Sequence, residues 1–113
     1  MSAFERSTPG RSTAVIAFGE HAIGGPDAVE LGQIIRTVVT EGATTVILDL
    51  GRVTIMNSAG LGMLVSARTT TQSMGASLCL GNVPSKVMDL LTMTQLSTVF
   101  EIHSTVDAAV ASR

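Results

Sequence analysis

Apolar positions fall into short runs punctuated by glycine and proline, and successive runs switch between two periods. Residues 13–18, Thr-Ala-Val-Ile-Ala-Phe, form a β-rich run stopped by Gly19, which predicts a strand. After a loop at 21–25, Pro26 suits the first position of a helix, and Ala28, Leu31, Ile34, Ile35, Val38 and Val39 follow at spacings of three and four. Gly42 then stands where such a helix closes. Residues 44–50, Thr-Thr-Val-Ile-Leu-Asp-Leu, do not alternate but hold an unbroken apolar centre. That pattern predicts a central strand covered on both faces.

The switching continues to the end of the chain. A loop at 52–56 leads to a helix that starts at Asn57 or Ser58, runs through Leu61, Leu64, Val65 and Arg68 to Met74, and closes at Gly75. Residues 76–80 predict another strand, Pro84 opens a short helix with Val87, Leu90 and Leu91 inward, and residues 98–102 supply the last strand. Ser104 followed by Asp107 approximates a capping box for a final helix with Val106, Ala109 and Val110 as its inner stripe. The order β-α-β-α-β-α-β-α predicts an α/β domain with right-handed crossovers and a mostly parallel sheet of four to five strands with about four helices. Residues 1–12, which include Pro9 and Gly10, are expected to be a flexible N-terminus or an edge strand, and residues 13–113 the domain.

Composition narrows the function classes. At 113 residues the chain has room for one domain, and 45% apolar with only 14% charged residues, against roughly 25% in ordinary domains, excludes disorder for most of it. Seven Lys and Arg, unclustered, and a net charge of -2 give no footprint for direct nucleic-acid binding; with no Trp or Tyr and three Phe there is no stacking platform either. The mean hydropathy of +0.44 invites a membrane reading. The longest uncharged stretches, 53–67 and 69–85, are nevertheless short and polar for a span, so no membrane insertion is expected. The apolar stretch 14–18 is too short for a signal peptide, and the expected location is cytoplasmic. The single Cys79 permits no internal disulfide and reads as a small buried hydrophobe. Two His and one Cys scattered along the chain make no metal spacing, so neither metal nor cofactor is expected. No sustained heptad occurs, which predicts a monomer when free.

The search for catalytic motifs mostly fails. There is no phosphate-cradling glycine loop ending in Lys-Ser/Thr, no Gly-x-Gly-x-x-Gly and no His-Glu-x-x-His. Ser58 stands at a strand-to-helix turn, yet its flanks do not make Gly-x-Ser-x-Gly, and only His21 or His103 is available as a base. No enzyme is expected; a small serine hydrolase using Ser58 and His21 is the alternative from a different class. Gly60 and Gly62 read as small residues that admit close approach of a partner or of the adjacent sheet. Met56 and Met63 flank Ser58 and form either an apolar patch around it or part of the core.

The distinctive block is Val53-Thr-Ile-Met-Asn-Ser-Ala-Gly-Leu-Gly-Met-Leu-Val65, directly after Val46-Ile-Leu-Asp-Leu50. It resembles the signature of STAS domains, especially bacterial anti-sigma factor antagonists, in which a strand ending Leu-Asp-Leu precedes Asp-Ser/Thr-Ser/Ala-Gly-Leu/Ile-Gly and a helix. Gly19, Ala28-x-x-Leu31, Gly75 and Val99-Phe-Glu-Ile102 also have counterparts, so the resemblance spans roughly residues 12–112. It implies a STAS-like single domain that acts as a partner-switching regulator without catalysis of its own. Ser58 would be phosphorylated by an anti-sigma factor that is itself a serine kinase. The unmodified form would bind that factor and free a sigma factor, phosphorylation would block binding, and a serine phosphatase acting on the phosphorylated form would reverse it. The residues implied in partner binding are Met56, Asn57, Ser58, Ala59, Gly60, Leu61, Gly62 and Met63.

Two departures from that pattern stand out. Asn57 replaces the family's usual Asp, keeping a short capping acceptor but losing a charge. Residues 19–25 carry no Asp, which leaves Asp49 either as a supporting acid for Ser58 or as an acceptor of loop N–H bonds. Within the family, the alternative function is a non-cycling scaffold or regulatory subunit of a stress-signalling or transport assembly.

Overall fold

Val46, Ile47 and Leu48 are fully buried at the middle of the protein, as the unbroken apolar run at 44–50 requires. The computed structural model describes residues 4–9 and 12–112. The three residues belong to β4 (Thr45–Asp49), the central strand of a five-stranded sheet. On one side β4 runs parallel to β2 (Thr13–Phe18), which pairs antiparallel with β1 (Phe4–Ser7). On the other it runs parallel to β6 (Ser77–Gly81), which carries the two-residue edge strand β7 (Glu101–Ile102). The sheet order is thus β1-β2-β4-β6-β7. Within the N-terminal segment Phe4–Ser7 form an edge strand: Phe4 lies opposite Phe18, with the rings edge to face at 4.9 Å.

Side chains alternate across the sheet and divide the core into two layers. Ile16, Val46, Leu48 and Leu80 face α1 (Pro26–Thr40), α2 (Ser58–Ser73) and α3 (Ser85–Met93), which contribute Leu31, Ile35, Leu64, Val87 and Leu91 to the larger cluster. Val15, Ile47 and Cys79 face the short α4 (Val106–Ala111), where Ala109 is fully buried. Helices α1 and α2 close as their glycines predict: Ala43 and Gly42 donate to the carbonyls of Val38 and Val39, and Ala76 and Gly75 to those of Thr71 and Gln72.

Three expectations need correction. The last strand does not span 98–102, because residues Leu96–Thr98 form a 3₁₀ turn in which Val99 N–H donates to the Leu96 carbonyl at 3.0 Å, and the ladder is confined to Glu101 and Ile102. The final helix is capped by Thr105, whose hydroxyl accepts the Ala108 N–H at 2.9 Å, not by Ser104. The loop at 52–56 contains a strand, β5 (Ile55–Met56), paired with β3 (His21–Ala22) outside the main sheet.

Candidate functional site

The β3–β5 ladder fixes where α2 begins. The strands run parallel with His21 opposite Ile55 and Ala22 opposite Met56, and the Glu20 carbonyl accepts the N–H groups of Thr54 and Ile55 at 2.8 and 3.2 Å. The first turn of α2 lies hard against β3. A Cβ on Gly60 would stand 1.8 Å from the Ala22 carbonyl oxygen, so only glycine permits this approach. Just beyond β3, Gly24 adopts φ +78°, and a Cβ there would meet the Ala59 Cβ at 2.9 Å.

Asn57, in extended conformation, is the N-cap: its Oδ1 accepts the Gly60 N–H at 2.8 Å. Ser58 is therefore the first helical residue, exposed, and its hydroxyl takes part in none of the described hydrogen bonds. Sequence periodicity allowed either residue to start the helix. The structure gives the capping role to Asn57 and leaves Ser58 free of it. No acidic side chain stands in the first turn of α2. The N–H groups of Ser58 and Ala59 also lack a partner among the described bonds, as a helix start leaves them.

The residues expected to meet a partner separate by exposure. Asn57, Ser58, Ala59 and Gly62 are exposed and Met56 is half-buried. Gly60, Leu61 and Met63 are buried, Met63 to 3% exposure within the main core, so these three support the site from beneath. Met63 does not contribute to a surface patch. On β5, just after β3 and on α2 the exposed large apolar residues are instead Ile55, Ile23 and Val65, the last seven residues along α2 from Ser58 and so on the same helix face. Sequence reasoning missed Ile23 and Ile55, whose exposure follows from a two-stranded ladder too short to show a period. Beside Ile55 a pocket of ≈ 320 Å³ is lined by Thr54, Ile55, Met56, Lys86, Val87 and Leu90.

Asp49 is not brought to Ser58. It alternates with Leu48 and so faces the α4 side of the sheet, opposite to α2, where its Oδ1 accepts the Gly51 N–H at 2.9 Å and the Asn82 amide at 3.1 Å. It is a loop anchor. Neither histidine is hydrogen-bonded to the serine: none of the described hydrogen bonds joins Ser58 to His21 on β3, and His103, just after β7, has its Nε2 2.7 Å from Glu101 Oε2. The structure forms no Ser58–His21 pair.

With this geometry in place, comparison with known proteins is specific. The family model for the STAS domain matches residues 28–109. The Bacillus cell fate determinant SpoIIAA in its phosphorylated form has a TM-score of 0.72 at 19% identity, over 98% of this chain and 100% of that one. An anti-sigma factor antagonist from Mycobacterium paratuberculosis has a TM-score of 0.77 at 20% identity, over 99% and 97% of the two chains. A sulfate transporter family protein from Wolinella succinogenes has a TM-score of 0.75 at 14% identity, over 94% and 88%. At such identities the likeness is one of fold. Among the described residues, no helix is long and apolar enough to cross a membrane.

Proposed function

The chain belongs to the STAS domain family, and from that premise we propose that it is an anti-sigma factor antagonist that works by partner switching. In its unmodified form it binds an anti-sigma factor with serine kinase activity and so frees a sigma factor. Phosphorylation of Ser58 by that kinase ends the complex, and a serine phosphatase restores it. The observation that carries this reading is the state of Ser58: an exposed first residue of α2, relieved of capping by Asn57 and followed on its helix face by exposed Val65.

The chemistry of that position suits a switch. A phosphate there meets the positive end of the helix dipole and the N–H groups of the first turn, so the fold tolerates it. The same group adds about -1.5 to -2 charge to a surface that a partner must desolvate, so binding fails without unfolding. Asn57, Ser58, Ala59 and Gly62 with Ile23, Ile55 and Val65 form the docking surface. A fold neighbour solved in a phosphorylated form supports this reading.

The direct test is incubation with ATP and the serine-kinase anti-sigma factor that captures the chain from its native lysate, followed by peptide mass spectrometry. One phosphate on Ser58, and none on Ser58→Ala, is expected. Phosphate on another residue overturns the assignment. The likeness to a sulfate transporter family protein supports a second reading, a non-cycling regulatory module; a chain that binds its partner stably in ATP and never acquires phosphate selects it.

A further inference from the structure

Far from Ser58 in the sequence, the fold gathers three potential ligands that spacing alone keeps apart. Cys79 on β6 pairs in register with Glu101 on β7, so their side chains share one face of the sheet, and His103 follows two residues later on the same side. The Cys79 thiol, a Glu101 carboxylate oxygen and a His103 ring nitrogen all lie within 4.8 Å of one another. Register holds them there: the His103 N–H donates to the Leu80 carbonyl at 2.9 Å, extending the β6–β7 ladder by one residue. Cys79 is fully buried against Val15, Ile47 and Ala109, His103 is half-buried and Glu101 is exposed. The cluster thus has a closed apolar floor and an open rim.

The geometry points to a zinc(II) site built from Cys79, Glu101 and His103. A thiolate, an imidazole and a carboxylate make a mixed soft and borderline donor set suited to zinc. On one tetrahedral zinc, ligand atoms stand about 3.4–3.6 Å from each other, as bond lengths of roughly 2.0–2.3 Å dictate. The His103–Glu101 contact, 2.7 Å, has to open by about 0.7–0.9 Å, and the widest separation in the cluster, at most 4.8 Å, has to close by up to about 1.4 Å. Side-chain rotation supplies both. On binding, the thiol proton is released to solvent, the imidazole carries its proton on Nδ1 so that Nε2 ligates, and water fills the fourth position at the rim.

Such a site would staple an edge strand that has only two ladder residues. The metal would tie β7 and the turn before α4 to the buried thiol of β6. This inference is independent of the role of Ser58.

Zinc(II) titration of the metal-free, untagged full chain by calorimetry is expected to show one equivalent bound, with a raised thermal midpoint. Cobalt(II) in its place is expected to give thiolate-to-metal charge-transfer absorption and intense ligand-field bands of four-coordination. His103→Ala, at a position that leaves the core intact, should weaken zinc binding by more than about tenfold. Glu101→Gln should weaken it less, and His21→Ala should leave it unchanged. The absence of zinc binding, a cobalt complex without the thiolate band, or affinity that survives His103→Ala overturns the site. Cys79→Ser is informative where circular dichroism matches wild type: retention of full affinity there also overturns it.

Discussion

Asn57 and Gly60 are joined by a side-chain cap, Oδ1 to N–H at 2.8 Å, and this one bond frees the serine between them for other work. Since the cap belongs to Asn57, removing the Ser58 hydroxyl should hardly affect the fold. Asn57→Ala is expected to cost about 1 kcal/mol, Ser58→Ala less than about 0.5 kcal/mol, in denaturant unfolding. Equal losses for both would mean that the cap is shared.

Asn57→Asp preserves the capping acceptor and adds a negative charge at the positive end of α2. Stability should rise by roughly 0.3–1 kcal/mol at low salt, and the rate of Ser58 phosphorylation should change, because the charge stands next to the accepting hydroxyl. The expected pair of results is a higher denaturation midpoint with altered kinase kinetics. Identical kinetics for the two chains would show that the kinase does not read this position.

Gly60 and Gly62 occupy the same helix turn but opposite environments. A methyl group on Gly60 would collide with the Ala22 carbonyl, whereas around Gly62 a Cβ meets nothing within 4 Å. Gly60→Ala should destabilise by about 3 kcal/mol or more, since backbone cannot yield as a flexible side chain does. Gly62→Ala should be neutral or stabilising by up to about 1 kcal/mol. Thermal unfolding of both variants checks the contrast, and a Gly60→Ala protein as stable as wild type would contradict the seating of α2 on β3.

Ile55 and Met63 should separate binding from stability. Ile55 is 52% exposed and Met63 only 3%. Met63→Ala should lose about 2–5 kcal/mol of stability as a core truncation. Ile55→Ala should unfold much as wild type does and yet bind the anti-sigma factor more weakly. Unchanged affinity for Ile55→Ala would remove the β5 edge from the docking surface.

Much of the fold is legible in the sequence because strong local signals agree with it. The unbroken run at 44–50 requires a two-sided core and becomes the central β4; Pro26, Gly42 and Gly75 mark helix ends through backbone chemistry that tertiary context does not override. Short elements are different. The β3–β5 ladder and β7 have two residues per strand, too few for any period, so their existence depends on contacts distant in sequence. That is why the exposure of Ile55 is not legible in the sequence, and why Met63, apolar and adjacent to the motif, reads equally as patch or core until the seating of α2 buries it. The position of Asp49 was readable: alternation with Leu48 assigns it to the α4 face. The meeting of Cys79, Glu101 and His103 was not, because it follows from the β6–β7 register alone.

The central claim is that charge at Ser58 governs partner binding without governing the fold. Calorimetry with the anti-sigma factor, comparing wild type, Ser58→Ala and Ser58→Asp alongside their thermal midpoints, tests it most directly. The account predicts that Ser58→Ala binds as wild type does and that Ser58→Asp binds at least about tenfold more weakly, a change of about 1.4 kcal/mol, with all three midpoints within a few degrees. Wild-type affinity for Ser58→Asp would contradict the switch, and weakened binding accompanied by a collapsed midpoint would contradict its independence from the fold.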